Sequence, residues 1–99
     1  MAENHLTPDR PALDLKLQTL PTKPGVYIMK DATGKIIYVG KAISLRNRVR
    51  SYFHTPFSQA PKVQRLAAEV ADLDYIIAGS ELEALILECN LIKKHRPRY

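Results

Sequence analysis

The sequence has few of the features that mark secreted or membrane-spanning proteins. Its 99 residues include a single cysteine, Cys89, so no disulfide can form within the chain, and a disulfide-built secreted module is excluded. No stretch approaches the roughly 18 uninterrupted apolar residues of a membrane span. The first ten residues are polar and lack the apolar segment of a secretory signal. We therefore expect a cytoplasmic protein that makes no membrane contact.

The apolar content is sufficient for one modest core. Hydrophobic residues make up 45% of the chain, which is too large a share for a disordered tail. A length of 99 residues suits one domain and leaves no room for two independent cores. Residues 1–12 show little pattern and contain Pro8 and Pro11. We expect a loose segment over residues 1–12 and one domain over residues 13–99.

Charge is strongly segregated along the chain. The formal net charge is +5, but residues 30–65 carry eight positive side chains and one negative, whereas residues 66–88 carry six acidic side chains and no basic one. Four more positive side chains lie in residues 93–99. Two basic blocks around an acidic block suit a polyanion that binds beside a few carboxylates, as in metal-dependent nucleic-acid chemistry. The solvated faces of an ordinary basic protein explain the pattern equally well.

Turn residues between two short apolar runs predict a β-hairpin. Residues 26–29 and 36–39 are rich in β-branched and aromatic side chains, and the segment from Asp31 to Gly34 between them has turn chemistry. Gly40 is expected to end the second strand. Residues 13–20 are compatible with a short helix or an extended lead-in, and Pro21 and Pro24 stop any helix there.

Helical periodicity and capping residues predict the remaining elements. Ser44 is a plausible N-cap for a helix through Phe53, and residues 62–70 have the pattern of a second helix. Residues 73–78 have the pattern of a third strand. Residues 80–83 match a capping box that opens a last helix ending near Lys94. The predicted fold class is α/β (α+β), with a small three-stranded, mostly antiparallel sheet flanked by helices.

Glu88 fits its predicted surroundings least well. One broad apolar arc of the last helix contains Leu82, Leu85, Ile86, Cys89 and Ile92, and Ala84 and Leu91 extend it. Glu88 points between these groups, so its carboxylate is at least partly desolvated and needs a cation or hydrogen-bond donors. A boundary salt bridge and a role as a metal ligand or general base explain it equally well. Cys89 is expected to pack as a small apolar group.

Aromatic and basic side chains accumulate around the hairpin and the helix after it. Tyr27 and Tyr38 lie in the two strands, and Lys41 follows at a strand end, where its side chain can project into a cleft. Arg48 and Tyr52 are four residues apart on one helical face, and both can donate to a phosphate oxygen. A cation–π pair that only braces the helix is the competing explanation.

Two triplets and two longer runs of the sequence resemble a known family. The triplets Gly25-Val26-Tyr27 and Tyr38-Val39-Gly40 resemble the signature of the GIY-YIG nucleases, with valine at both middle positions. The runs over residues 38–53 and 80–99 resemble the N-terminal domain of the UvrC family. The resemblance covers residues 13–99 and implies the GIY-YIG nuclease fold, carried by a fragment of a longer protein.

The resemblance also implies an activity and a set of site residues. It implies incision of damaged duplex DNA on the 3′ side of a lesion in nucleotide excision repair, together with the UvrB protein through the full-length subunit. The implied active-site residues are Tyr27, Tyr38, Lys41, Arg48, Tyr52 and Glu88. Glu88 would be the ligand of a single Mg²⁺ or Mn²⁺ ion. From the chemistry of these residues, we hypothesise that Tyr27 or Tyr38 takes the proton from the attacking water while the other orients it, with the phenolate favoured by neighbouring cations. An asparagine of the site is expected directly after Tyr99, and full activity would depend on it.

The other basic side chains are expected to bind the DNA backbone without reading its sequence. This set contains Lys35, Arg46, Arg50, Lys62, Arg65, Lys93, Lys94 and Arg96. The alternatives are a non-catalytic nucleic-acid-binding module of the same fold, another GIY-YIG repair nuclease, or a domain whose basic face meets an acidic protein. The isolated domain is expected to be monomeric.

Overall fold

Four helices and three strands make up the part of the chain that the structure describes. The computed structural model describes residues 11–54 and 60–99, and for residues 11, 12 and 54 it describes the backbone alone. The elements are α1 (Pro11–Thr19), β1 (Gly25–Lys30), β2 (Ile36–Ala42), α2 (Leu45–His54), α3 (Pro61–Glu69), β3 (Asp72–Ile77) and α4 (Glu81–His95). None of the helices in these ranges has the length and apolarity needed to cross a membrane.

The sheet is antiparallel throughout, with the strand order β2-β1-β3. The predicted three-stranded sheet flanked by helices is therefore confirmed. The predicted hairpin turn lies between β1 and β2, where Gly34 has a φ of +87°, a conformation that side chains with a Cβ rarely adopt. The expectation that Gly40 ends the second strand is wrong. β2 continues to Ala42, because Gly40 pairs with Tyr27 and Lys41 pairs with Val26 in the ladder.

The central strand β1 is buried on both faces, and each face has its own hydrophobic core. Tyr27 and Met29 belong to the larger core, to which α1, α2 and α3 contribute. Val26 and Ile28 belong to a smaller core beneath α4, with Ala84 as the buried residue of that helix. Because side chains alternate along a strand, one six-residue strand supplies both cores.

The helix boundaries follow the predicted signals closely. α1 covers Pro11–Thr19, which settles the choice between a helix and an extended lead-in and shows that residues 11 and 12 do not belong to a loose segment. Residues 1–10 of the predicted loose segment lie outside the described ranges. The Ser44 hydroxyl accepts a hydrogen bond from the Asn47 backbone N–H at 3.4 Å, as an N-cap of α2 should. α3 begins at Pro61, which suits the first helical turn because its missing N–H would be unpaired there.

α4 packs with a different face from the one that its apolar arc suggests. Ala84 is buried and Leu87 and Leu91 are half-buried against the sheet, whereas Leu82 is 67% exposed. The remaining members of the arc are also exposed, namely Leu85, Ile86, Cys89 and Ile92. The prediction that Cys89 is packed is therefore wrong. Helical periodicity shows which apolar residues share a face, but it does not show which face can approach the sheet. Here the helix packs closely through the small side chain of Ala84.

An ion-pair network lies at the edge strand β3. Lys16 Nζ is 2.8 Å from Asp72 Oδ1 and 3.4 Å from Asp74 Oδ1, and Lys30 Nζ is 2.6 Å from Asp74 Oδ2. These pairs hold the pKa values of both aspartates below their usual range, chiefly through the lysine hydrogen bonds. The network ties α1 and β1 to β3.

Candidate active site

Three tyrosines from three elements form one aromatic cluster. The ring centroids of Tyr27 on β1 and Tyr38 on β2 are 5.9 Å apart, and that of Tyr52 on α2 is 5.9 Å from the first and 6.2 Å from the second. The hydroxyl oxygens of Tyr27 and Tyr52 lie 2.9 Å apart and share a buried hydrogen bond. Tyr27 is only 1% exposed, whereas Tyr38 is half-buried. The structure thus brings together the three tyrosines that the sequence analysis selected.

The close fit of this cluster depends on Gly40. Gly40 is the register partner of Tyr27, and a Cβ placed on it would lie 2.5 Å from the Cζ and hydroxyl oxygen of Tyr27. The same Cβ would be 2.9 Å from Cε2 of Tyr38. Since real Cβ contacts are longer than this, glycine is required for the Tyr27 ring to lie across β2.

Arg48 lies beside the cluster on the first half of α2. Its guanidinium carbon is 5.5 Å from the centroid of the Tyr52 ring, a distance at which a cation–π interaction operates. Interaction with the Tyr27 hydroxyl raises the pKa of Arg48, so this side chain remains a fixed positive charge. The shared face of Arg48 and Tyr52 that the four-residue spacing predicts is confirmed by this geometry.

Burial changes the protonation chemistry of the tyrosines. Burial, followed by the hydrogen bond to Tyr52, raises the pKa of Tyr27 far above its usual range. Burial is also the main cause that raises the pKa of Tyr38, although the positive charge of Arg48 opposes it. Both groups are therefore neutral phenols at pH 7. The expectation that neighbouring cations favour phenolate is not met in the protein alone, because the desolvation of the cluster outweighs them.

Glu88 lies on α4, on the face of the sheet opposite to the tyrosine cluster, and its carboxylate reaches the C-terminal end of β2 at Lys41. Its carboxylate is half-buried, and Oε2 accepts a hydrogen bond from the backbone N–H of Lys41 at 3.1 Å. The N-terminal end of α4 is held by Ser80, whose hydroxyl accepts from the Glu83 N–H at 3.1 Å, and by Glu83, whose carboxylate accepts from the Gly79 N–H. This is the predicted capping box, except that the Glu83 carboxylate accepts from Gly79 and not from Ser80, the N-cap residue.

The donor set at Glu88 fits a divalent cation of the magnesium type. Carboxylate oxygen is the ligand that Mg²⁺ and Mn²⁺ prefer, and Mg²⁺ commonly uses one or two carboxylates with water completing its octahedron. Among residues 11–54 and 60–99, no cluster of three or more His, Cys, Asp or Glu side chains is available to hold a metal. Glu88 therefore fits a hydrated ion that binds by one protein carboxylate, and does not fit a zinc-type site with several protein ligands.

A cleft of about 540 Å³ lies between α2 and α4, beside these residues. Its lining consists of Lys41, Ala42, Ile43, Ser44, Asn47, Arg48, Ser51, Glu81 and Ala84. Lys41 and Arg48 came from the sequence analysis, whereas the roles of Ser44, Asn47 and Ser51 were missed. Their spacing with Arg48 at i, i+3, i+4 and i+7 was the available signal, because it places these four polar side chains along one stripe of the helix.

The predicted backbone-binding residues do not form one surface around this cleft. Lys35 lies in the hairpin turn, at the opposite end of β2 from Lys41. Arg46 is half-buried, and its Nε donates to the Leu20 carbonyl at 2.7 Å, so part of its guanidinium serves to tie α2 to the chain after α1. Arg50 lies on α2, and the other members of the set lie on α3 (Lys62 and Arg65) and at the C-terminal end of α4 (Lys93, Lys94 and Arg96).

The last residues return to the sheet next to Tyr38. The Tyr99 backbone N–H donates to the Ile37 carbonyl at 3.0 Å, and the Tyr99 hydroxyl donates to Glu69. Arg98 pairs with the same carboxylate at 3.2 Å.

The class of protein follows from a family comparison that agrees with this geometry. The sequence model of the UvrC-like GIY-YIG domain matches residues 23–99. The chain therefore belongs to the UvrC-like GIY-YIG family and is an endonuclease domain of that family.

Two curated relatives show which protein of this family the chain is similar to. The UvrABC system protein C of Moorella thermoacetica is 63% identical over 87 residues, which are 88% of this chain and 14% of that protein. The corresponding protein of Acetivibrio thermocellus is 61% identical over 84 residues, which are 85% of this chain and 13% of that protein. The chain thus spans only 13–14% of the length of these curated relatives.

A solved structure covers nearly the same part of the chain. It is the crystal structure of the GIY-YIG N-terminal endonuclease domain of UvrC from Thermotoga maritima, bound to its catalytic divalent cation, magnesium. The two are 48% identical with a TM-score of 0.77, over 87% of this chain and 92% of that chain. Three tyrosine-to-phenylalanine variants of the Thermotoga maritima domain are also bound to the catalytic divalent cation.

Proposed function

We propose that this domain hydrolyses a phosphodiester bond of damaged duplex DNA on the 3′ side of the lesion, with Mg²⁺ or Mn²⁺ as its single metal ion. The observation that carries the proposal is the hydrogen bond from Lys41 to Glu88, because it joins the carboxylate on α4 to a cleft that Arg48 also lines. Carboxylate, phenol and guanidinium groups are the components that metal-assisted hydrolysis of a phosphodiester needs.

Glu88 is the residue that would hold the metal ion. A bound ion would polarise the scissile phosphate and stabilise the leaving oxygen. The magnesium-bound domain of Thermotoga maritima supports this assignment at 48% identity. Its tyrosine variants support it further, since loss of a single tyrosine hydroxyl there leaves the cation in place.

Tyr38 is the better placed of the two strand tyrosines to activate water. It is half-buried, whereas Tyr27 is 1% exposed and its hydroxyl shares a hydrogen bond with that of Tyr52. Ionising an ordinary tyrosine at pH 7 already costs about 4 kcal/mol, and burial adds to that cost for Tyr38. Tyr38 would therefore lose its proton only when DNA and the cation are bound, because their complex supplies additional positive charge that offsets the effect of burial. Tyr27 then orients Tyr52 and the attacking water.

Arg48, Tyr52 and Lys41 complete the site as phosphate ligands. The guanidinium of Arg48 presents several N–H donors in a plane, which suits two oxygens of one phosphate. Tyr52 adds a hydroxyl donor on the same helical face. Lys41 is exposed on the cleft wall, where its ammonium group can reach a non-bridging oxygen of the phosphate.

The remaining elements of the proposal concern the longer protein. The domain would act in nucleotide excision repair in the bacterial cytoplasm, where UvrB would deliver the damaged duplex through other parts of the full-length subunit. The relatives named as UvrABC system protein C support this context. Because the chain spans 13–14% of their length, damage location is assigned to the rest of the assembly.

The test compares Glu88→Gln with Glu83→Gln on a damaged duplex and on a supercoiled plasmid. Both variants replace a carboxylate by an amide on α4, but Glu83 serves the helix cap, and its amide oxygen can still accept from Gly79. We expect Glu88→Gln to lower nicking at least 100-fold and to weaken Mn²⁺ binding measured by electron paramagnetic resonance. Glu83→Gln is expected to keep both within a few-fold.

A non-catalytic binding module of the same fold is the second candidate, favoured by the high pKa of the two strand tyrosines in the protein alone. In that case a chain extended by the asparagine that the resemblance implies after Tyr99 would bind duplex DNA without nicking it at any Mg²⁺ or Mn²⁺ concentration. Metal-dependent nicking that survives Glu88→Gln would instead refute the assignment of the metal ligand.

A further inference from the structure

The α2–α4 cleft is larger than the proposed hydrolysis requires. It is a groove that is open to solvent, and its volume of about 540 Å³ is far more than a single phosphate needs. The Lys41 and Arg48 side chains supply positive charge at this cleft. The rest of its lining is neutral apart from Glu81, and includes the methyl group of Ala84 and the polar side chain of Asn47.

Ile43 gives the cleft an unusual apolar rim. It lies on the link between β2 and α2 and is 67% exposed, as much as any large apolar side chain in the described ranges. The segment around it is strongly basic, so this isoleucine is surrounded by groups that attract a polyanion. Enzymes that accept an extruded base hold it between aromatic or apolar side chains.

We infer that the α2–α4 cleft receives one unpaired nucleotide of the DNA strand, adjacent to the phosphate bound at Arg48. The base packs against Ile43, and Asn47 lies at its polar edge, where an amide can both donate and accept. Unpairing a base costs a few kcal/mol in regular duplex and less where the duplex is already distorted. The cleft therefore favours DNA in which one nucleotide is free to enter. This inference rests on the proposed function, since it assigns the substrate form that the same site prefers.

The experiment measures the preference for an unpaired nucleotide. Two fluorescein-labelled duplexes of the same sequence, one fully paired and one with a single unpaired nucleotide, are titrated with the 99-residue chain in buffer that contains EDTA, and binding is followed by fluorescence anisotropy. The wild-type chain is expected to bind the duplex with the unpaired nucleotide about tenfold more tightly, as burial of one apolar side chain against a base would give.

Leu82→Ala is the matched control for Ile43→Ala. Both residues are 67% exposed and lose the same number of carbon atoms, but Leu82 does not belong to the cleft lining. Ile43→Ala is expected to reduce the preference to less than twofold, and Leu82→Ala to retain it. Because no charge is removed, Ile43→Ala is also expected to leave the slope of log affinity against log salt unchanged. Asn47→Ala, which removes the polar contact from the same cleft, is expected to reduce the preference as well.

The outcomes separate this inference from the function on which it rests. A wild-type chain that binds and nicks DNA but has no preference for the unpaired nucleotide would overturn the inference alone. The same holds if Ile43→Ala keeps the full preference while its thermal unfolding midpoint matches that of the wild type. If the wild-type chain binds neither duplex at low salt, the proposed function fails, and the nucleotide site fails with it.

Discussion

The backbone nitrogen of Lys41 lies 3.1 Å from Oε2 of Glu88. The main chain of β2 thus orients the carboxylate that would hold the metal ion. The side chain of Lys41 has no part in that bond and is exposed on the cleft wall. One strand residue therefore contributes to the site in two separable ways, through its amide and through its ammonium group.

Replacement of Lys41 by alanine should separate these two contributions. Lys41→Ala keeps the N–H that binds Glu88, so we expect Mn²⁺ affinity within twofold of the wild type. The nicking rate should fall roughly 10- to 100-fold, because the substitution removes a positive charge that would stabilise the phosphate in the transition state. Electron paramagnetic resonance and single-turnover nicking measure the two quantities. A large loss of metal affinity would show that the side chain, and not the amide, orients Glu88.

Gly40→Ala should disrupt the aromatic cluster. The added Cβ would meet the Tyr27 ring at 2.5 Å, and that ring is 1% exposed and has no free space to enter. We expect a loss of about 1–3 kcal/mol in the free energy of unfolding, measured with urea, together with loss of nicking.

Gly34→Ala is the control for this substitution. It has space for a Cβ but a φ of +87°, so it should cost about 1 kcal/mol through backbone strain while nicking is retained. Equal nicking by the two variants would contradict the steric role of Gly40.

The two strand tyrosines should differ in their effects on catalysis. Tyr38→Phe is expected to lower single-turnover nicking about 100-fold or more, since it removes the proposed proton acceptor, and to leave urea unfolding nearly unchanged. Tyr27→Phe should lower nicking less, but should cost about 1 kcal/mol of stability because the Tyr52 hydroxyl loses its buried partner. If both variants nick at the wild-type rate, neither tyrosine is the base.

Salt dependence should report the phosphate contacts of the basic surface. About five contacts predict a slope near −4.5 for log affinity against log salt on duplex DNA. Arg50→Ala is expected to reduce that slope by about 0.9, whereas Arg46→Ala should also lower stability, because its Nε binds the Leu20 carbonyl. Anisotropy titrations between 50 and 200 mM salt measure the slope. A nearly flat dependence would exclude the backbone-binding role of these residues.

The ion pairs at β3 should make stability depend on acid pH. Lys30 and Lys16 hold the pKa of Asp74 below its usual range, so the unfolded chain binds more protons than the folded one as the pH falls. The stabilisation is therefore present above about pH 4, the ordinary aspartate pKa, and is lost below it. At pH 7, Asp74→Asn should lower the free energy of unfolding by less than about 1 kcal/mol, because the Lys30–Asp74 pair is half exposed. At pH 2 the substitution should leave the free energy of unfolding unchanged, because the carboxyl group is then protonated. Urea unfolding at both pH values tests this.

The strand and helix pattern of this chain was largely predictable because its signals are local. The turn at Gly34, the Ser44 cap and the capping box at Ser80 each depend on a few neighbouring residues, and the structure contains all three. The packing of α4 was not predictable in the same way. An apolar arc through Leu82 and Ile86 is visible in the sequence, but which face meets the sheet depends on how closely the helix can approach it.

The proximity of the candidate site residues was predictable, and their electrostatics were less so. The tyrosines, Arg48 and Glu88 can be selected from motifs and spacing, and the structure places the tyrosines and Arg48 together with Glu88 at the same end of β2. Burial of Tyr27 and Tyr38 raises their pKa values, and this depends on the surrounding core, which no short motif encodes. The cleft residues Ile43 and Asn47 were missed because their role depends on α4, which is distant in sequence.

The division of β1 between two cores has a consequence for how the domain can lose activity. The tyrosines belong to the core of α1, α2 and α3, whereas Glu88 is carried by α4, which is held by a much smaller core. Local opening of α4 would remove the carboxylate while the aromatic cluster stays intact. We therefore expect α4 to open as a separate cooperative unit, so that under mild denaturation nicking disappears before the near-ultraviolet circular dichroism of the tyrosines. Any partner that clamps α4 to the sheet would act as an activator.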